Sequence, residues 1–445
     1  MSAGRAIVGE RTEPERPLEK PGRRRGARVY VSVVDGDRGS VVRRAIVRIG
    51  RQTDRLGRPG IRALTIKRRA LLPVTAWAPG YEARTVRRSF KTRYWVTVRL
   101  YRPSLQWPMY GAGPARTQAH RGIAIRPPFR VVWTRSAGSL IEFPAVVSDG
   151  VAYIANYRGA VRAISMRDGK VIWIRRTPNG KMAASPAVAG DDLVVHGMDG
   201  HVWVLDRATG RINWRYAVGS PIESSPVVRD GIDYFGAWNG NVYALDLRRR
   251  RLAWRYRSGH KITSSAALVG RTLYIGNYRG RLLALSTPRG RLRFARSVDG
   301  RIYGTPAVAS GRVFVPSSTG GSLTAFSTRG RRLWRVETGA YVYSSPAVWG
   351  TRVYFGSYNG RLYCVSARSG RTLWTVGAGG PISGAVAVVA GVVYAGSLAN
   401  RIVGADVRSG RVLLRFPHGE YVPVSGNGGR LLLHGYSRLY AVEPR

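Results

Sequence analysis

The stretch SSPAVWGTRVYFGSYNGRLYCVSARSGRTLW, Ser344 to Trp374, divides into four short runs rich in β-branched and aromatic residues: Ser345–Val348, Val353–Gly356, Arg361–Val365 and Arg371–Trp374. Gly, Asn and Ser separate them, so the pattern predicts four strands joined by tight turns. The same script recurs along the chain. Ser185-Pro186-Ala187-Val188, Ser225-Pro226-Val227-Val228 and Thr305-Pro306-Ala307-Val308 repeat its opening, with proline at the strand entry that tolerates it. Its closing tryptophan falls on a ladder formed by Trp133, Trp173, Trp214, Trp254, Trp334 and Trp374, with Phe294 and Leu414 on the remaining rungs. Neighbouring rungs lie 40 residues apart, with one step of 41. A period near forty without helical patterning predicts an array of four-stranded propeller blades.

Counting rungs predicts an all-β, eight-bladed propeller over residues 104–445. The eighth blade begins at Val422 and reaches Arg445 without a fourth strand, whereas Phe129 to Trp133 reads as a fourth strand with no blade before it. The two segments are therefore expected to pair and close the ring, which removes free sheet edges.

With these residues in view, the unit Ser344 to Trp374 resembles the pyrroloquinoline-quinone-like β-propeller repeat, shared by quinoprotein dehydrogenases and BamB-like envelope proteins. Trp107-Pro108-Met109-Tyr110-Gly111 and Ala115-Arg116-Thr117 are similar to the segment that leads into such propellers. The resemblance implies the fold and leaves function open, because the superfamily holds both enzymes and binding scaffolds.

Residues 28–103 alternate polar and apolar residues in short runs, as in Val29–Val33 and Tyr94–Val98, which predicts a small β-sandwich. Thr53–Gly57 and Ala78–Tyr81 resemble turns of carboxypeptidase-regulatory-like, transthyretin-like domains, which implies a spacer or adhesion module. Residues 1–27, rich in Pro, Glu and Arg and ending near Arg23-Arg24-Arg25, are expected to be a disordered basic tail. No apolar leader follows Met1, and no run approaches the roughly 18 residues that span a bilayer. The resemblance implies an extracytoplasmic or envelope location, and whether an anchor lies upstream is left open.

Lys plus Arg number 73 against 24 Asp plus Glu, a formal net charge of +49, and all but six of the basic residues are arginine. Such a field attracts nucleic acid, anionic lipid or acidic wall polymer, although an arginine-rich solvated surface would look the same. Antiparallel strands place the turns between third and fourth strands on one face. Arg167, Arg207, Arg248, Arg249, Arg250, Arg289, Arg329 and Arg368 fall in those turns, so one basic face is expected.

The opposite face collects the turns between second and third strands and the starts of the inner strands. Tyr157, Trp238, Tyr278 and Tyr358 occupy the former; Glu142, Glu223, Tyr303 and Tyr343 occupy the latter. These eight residues are the candidate binding set at the channel mouth, because a repeat protein diversifies at equivalent positions while its frame stays constant. Aromatics at such positions also pack blade against blade.

Catalysis is not expected. In quinoprotein dehydrogenases the resemblance implies a quinone stacked between a tryptophan and a ring of two adjacent cysteines, with calcium held by Glu, Asn and Asp. Cys364 is the single cysteine, expected as a small buried hydrophobe, and it excludes an internal disulfide. Glu142 and Glu223 alone are too few for calcium. His196 and His201 flank one turn and read as surface residues without a third ligand. The expected function is a non-catalytic, cofactor-free and metal-free monomeric scaffold that docks a protein partner. The alternatives are electrostatic binding of an anionic polymer and a quinone-dependent dehydrogenase.

Overall fold

The computed structural model describes residues 27–56, 61–66, 71–89, 95–178 and 180–445. The expectation for residues 1–27 lies outside them apart from Ala27, which opens a strand, and Gly57 of the first turn motif also lies outside. The chain divides into two compact units, the larger comprising Asp35–Ser40, Gly80–Glu82 and Tyr101–Arg445.

The smaller unit contains two sheets. In one, Ala27–Asp35 lies between Ile61–Ile66 and Trp95–Leu100; in the other, Gln52–Arg55, Ile46–Ile49, Leu71–Trp77 and Arg84–Ser89 follow in that order. Val29, Val31 and Val33 are buried, as are Val96, Val98 and Leu100. This period of two is what a strand produces when one side faces a core.

The larger unit is a β-propeller. Its sheets follow one another along the chain, each with four antiparallel strands in sequence order, from Val146–Ser148, Val151–Ala155, Ala160–Ser165 and Val171–Arg176 to Ala387–Val389, Val392–Ser397, Arg401–Asp406 and Val412–Phe416, the last of these gaining Ala119–His120 as a parallel fifth strand beside Ala387–Val389. The last sheet joins Val424–Gly426, Leu431–His434 and Arg438–Pro444 to Phe129–Ser136. That final pairing is antiparallel, with Trp133 opposite Ala441, so the predicted closure is present. Val424–Gly426 packs against Val146–Ser148, bringing the last sheet to the first.

The tryptophan ladder is a lock between adjacent sheets. Most rung residues sit opposite a small residue on the third strand of their own sheet, as Trp173 does opposite Ala163, Trp334 opposite Ala325 and Leu414 opposite Gly404, whereas Trp214 faces Val204. Cys364 occupies this place opposite Trp374 and is fully buried, which accounts for the lone cysteine as a packing residue. The indole then reaches the next sheet. Trp133 Nε1 donates to Met166 O at 3.0 Å, Trp173 to Arg207 O at 3.0 Å, Trp254 to Thr287 O at 2.6 Å and Trp334 to Ala367 O at 3.1 Å. Beneath each of these four rings lies the turn glycine of that next sheet, whereas the turn that follows Trp214 carries Arg250 in that place. Gly210 has φ +71° and its missing Cβ would stand 2.6 Å from Trp173. Some arginines belong to the same joint, since Arg135 and Arg175 each donate from Nε to the carbonyl of such a glycine at 2.7 Å.

A second set of contacts between sheets runs around the axis. The backbone N–H of Ser185 donates to Ser225 Oγ at 3.0 Å, Ser225 to Ser265 Oγ at 2.8 Å, Ser265 to Thr305 Oγ1 at 3.2 Å and Thr305 to Ser345 Oγ at 2.8 Å. The hydroxyl at the head of each inner strand therefore binds the preceding repeat. That is why Ser or Thr precedes the repeated proline.

Candidate functional site

The mouth is assembled by one repeated backbone bond. The N–H of Trp238 donates to Pro221 O, that of Tyr278 to Lys261 O and that of Tyr358 to Tyr341 O, at 3.0, 2.9 and 2.9 Å. Each bond ties a turn between second and third strands to the loop that leads into the inner strand of its own repeat, so the two predicted ladders meet at one end of the channel.

There they enclose a cavity of about 270 Å³. Of the eight predicted residues, Glu142, Glu223, Tyr278, Tyr303 and Tyr343 line it. Two more border it. Trp238 donates from Nε1 to Glu223 Oε2 at 3.1 Å, and Tyr358 lies with its ring 4.9 Å from that of Tyr343 at a tilt of 56° and donates to Ser383 Oγ at 3.4 Å. Tyr157 stands apart, 37 % exposed and covered by Lys181 at 5.3 Å from its ring. Tyrosine rings form a continuous chain: Tyr278 to Tyr303 at 4.5 Å, Tyr303 to Tyr343 at 5.0 Å, Tyr343 to Tyr358, and Tyr358 to Tyr341 at 6.0 Å. Tyr341 is 51 % exposed and carries the chain outward.

Sequence reasoning missed Tyr110, Phe143 and Tyr421, which complete the wall. Phe143 and Tyr421 sit one or two positions off the ladders, where no period selects them. Tyr110 arrives from the lead-in segment. That segment runs along the inner strands, bonding them through its main chain: Pro108 O accepts from Val188 N at 2.9 Å, Pro114 O from Leu268, Ala115 O from Val308 and Thr117 O from Val348. Each inner strand begins at the mouth, and these bonds fall past its first residue, so the segment lies below the cavity. The Tyr110 hydroxyl donates to Ser345 Oγ at 3.1 Å and forms part of the floor. Arg116, fully buried, fixes the segment by donating to Ala266 O at 2.9 Å, Ser225 O at 3.0 Å, Pro226 O at 2.7 Å and Tyr110 O. Burial lowers its guanidinium to about 10.

Charge at the mouth is uneven. Burial, with the charge of Glu223 second, pushes the Glu142 carboxyl up to about 7. Burial raises Glu223 as well, opposed by its bond from Trp238 and by the ammonium of Lys261. No ion pair or side-chain hydrogen bond joins Glu142 to another of the described residues.

Among the predicted basic turns, Arg167, Arg248, Arg249, Arg250, Arg289, Arg329 and Arg368 are exposed. Arg207 is half-buried, paired with Asp149 at 2.7 Å, and Arg249 is paired with Asp246 at 3.1 Å. Arginines also stand in the opposite turns, at Arg158 and Arg279, and along the outer strands.

One expectation is corrected. His196 is not at the surface: it is fully buried, with Nδ1 2.6 Å from Ser224 O and Nε2 2.8 Å from Asp233 Oδ2, while His201 lies 3.5 Å from Asp199. The two imidazoles serve different partners because Asp233 lies in the next sheet, where no local pattern reveals it. Among the described residues no group of three His, Cys, Asp or Glu is placed to hold a metal.

The mouth does not fit pyrroloquinoline quinone. Cys364 is buried in a third strand, Trp238 is turned to Glu223 with Lys261 over its ring at 3.1 Å, and two glutamates would oppose the acidic groups of the quinone. Fold and site together define a propeller of the pyrroloquinoline-quinone-like class with an aromatic axial mouth. The family model described as outer membrane protein assembly factor BamB matches residues 130–237 and 238–444, and the chain belongs to that family.

Curated relatives include the BamB proteins of Yersinia pestis, 29% identical over 126 residues (25% of this chain, 32% of that protein), and Salmonella typhimurium, 32% identical over 114 residues (22% and 29%). The matched segments thus span about a third or less of these relatives. Among solved structures, BamB from Moraxella catarrhalis superposes with a TM-score of 0.62 at 17% identity, covering 71% of this chain and 98% of that one. Quinohemoprotein alcohol dehydrogenase from Comamonas testosteroni gives 0.66 at 15% identity, covering 76% and 80%. At these identities the likeness of structures shows the fold alone.

Proposed function

We propose that this chain is a non-catalytic scaffold of the cell envelope that docks a protein partner at its tyrosine-lined mouth, as an outer membrane protein assembly factor of its family would. The observation that carries the reading is the unbroken chain of rings from Tyr278 through Tyr303, Tyr343 and Tyr358 to the exposed Tyr341. Tyrosine supplies large contact area at low entropic cost and is enriched among the residues that dominate interface energies. The frame beneath is rigid, held by indole locks, a hydroxyl belt and an axial segment, so little ordering remains when a partner binds. Nothing in the mouth supports a redox role, since the residues fit neither the quinone nor its metal.

The exposed arginine turns favour a second reading, electrostatic capture of nucleic acid or an anionic polymer. One experiment separates the two. The chain and a Trp238→Ala/Tyr358→Ala variant are used to capture partners from envelope extract at about 50 and about 200 mM salt, a range over which phosphate-driven binding falls by orders of magnitude. A defined protein retained at high salt and lost in the variant supports docking at the mouth. Polymer released by salt from both chains overturns it in favour of the arginines.

A further inference from the structure

The axial cavity is lined by materials that suit a cation. Phe143, Tyr278, Tyr303, Tyr343 and Tyr421 line it, and the face of an aromatic ring carries negative potential. Glu142 and Glu223 both open onto the same space. Lys261 accompanies Glu223, but among the described residues Glu142 has no ion pair, in a chain of net charge +49. The rings beside the cavity already seat the protein's own cations. Lys261 Nζ lies 3.1 Å from the centre of the Trp238 ring and 5.0 Å from that of Tyr278, and the Arg301 guanidinium lies 5.7 Å from Tyr278.

The volume settles the size of the guest. Tyr110, bonded to Ser345, lies in the lining, and about 270 Å³ admits one head group or the end of one side chain. The acidic lining excludes anions, which separates this site from the arginine turns.

We infer that the axial cavity is a receptor for a single organic cation, a guanidinium or alkylammonium group held between Glu142 and the rings of Tyr278, Tyr303 and Tyr343. The inference names the chemistry that the proposed mouth recognises and rests on that mouth being a binding site. Glu142 supplies the opposite charge once it is ionised, as it is above about pH 7 where the titrations are run, and that charge is less screened here than at an exposed surface. The tyrosines supply cation–π attraction and exclude water.

The test is calorimetric titration of the full chain with two probes, tetramethylammonium chloride and N-acetyl-arginine amide, beside their neutral counterparts tert-butanol and N-acetyl-glutamine amide. Saturable one-to-one binding of either cation, with no binding of its neutral counterpart, is the expected result. Glu142→Gln is expected to weaken it about tenfold and Tyr303→Leu several-fold, in line with one charge and one ring. Thermal unfolding of each variant checks that the frame survives. Binding of the arginine amide alone identifies the guest as a side chain presented by a partner, and binding of tetramethylammonium alone as a free cation. Absence of saturable binding of both cations, or equal binding by Glu142→Gln, overturns the inference. Retention of a protein at the mouth alongside that failure would leave docking in place and remove only the cation site, whereas cation binding without a retained protein would do the reverse.

Discussion

The indole N–H of Trp173 donates to the backbone carbonyl of Arg207 at 3.0 Å, across the seam between two sheets. With the ring lying on Gly210, this single side chain contributes both packing and a hydrogen bond to the joint. Trp173→Phe is expected to cost about 1 kcal/mol through the lost bond, and Trp173→Ala about 3 kcal/mol. Chemical unfolding followed by fluorescence measures both; a Trp173→Phe variant as stable as the parent would show that the bond contributes nothing.

The turn beneath each indole predicts two substitutions of opposite sign. Gly210→Ala places a methyl 2.6 Å from Trp173 at φ +71°, and a loss of about 2 kcal/mol or more is expected. Arg250 occupies the corresponding turn with φ +54°, so Arg250→Gly is expected to stabilise by about 1 kcal/mol. Thermal midpoints decide the signs.

Glu142 makes stability depend on pH. Its carboxyl is raised from 4.5 to about 7, so the folded chain binds a proton that the unfolded chain has already released between those values. The stability it contributes when protonated is therefore lost as pH rises from about 4.5 to about 7. Glu142→Gln is expected to match the parent at pH 4 and to exceed it above pH 7 by on the order of 3 kcal/mol at most. Unfolding curves at both pH values give the comparison, and a pH-independent difference would sink the assignment.

Arg116→Met removes the donor shared by carbonyls of Tyr110, Ala266, Ser225 and Pro226. Leaving these buried oxygens unbonded is expected to cost about 3 kcal/mol or more and to loosen the lead-in segment. Chymotryptic cleavage after Tyr110 reports the loosening, and unchanged protection of that bond would refute the role of the guanidinium.

The propeller was legible because its joints are side chains with a period. Trp133, Trp173 and their fellows repeat where each must reach the next sheet, and Ser185, Ser225 and Ser345 repeat where each hydroxyl must meet the preceding strand. The mouth was legible to the extent that it follows the same period, which located Glu142, Glu223, Tyr278, Tyr303 and Tyr343. Tyr157 keeps the period and still stands apart, because the period fixes a level on the axis and not the direction of a side chain. The lead-in segment was recognisable by resemblance, but its path was not, since it binds through main-chain carbonyls that every sequence possesses. The inward turn of His196 escaped for a related reason: Asp233 lies 37 residues away.

Closure of the ring by Phe129–Ser136 and Arg438–Pro444 also sets an order of events during synthesis. Arg130 and Glu443, 313 residues apart, end as an ion pair at 3.2 Å. At ribosomal rates of roughly 5–20 residues per second, the waiting strand stays without its neighbour for tens of seconds while the intervening sheets are made. The backbone N–H and C=O groups that Phe129–Ser136 later shares with Arg438–Pro444 are unpaired in that interval, which leaves an open strand edge of the kind that invites a wrong match.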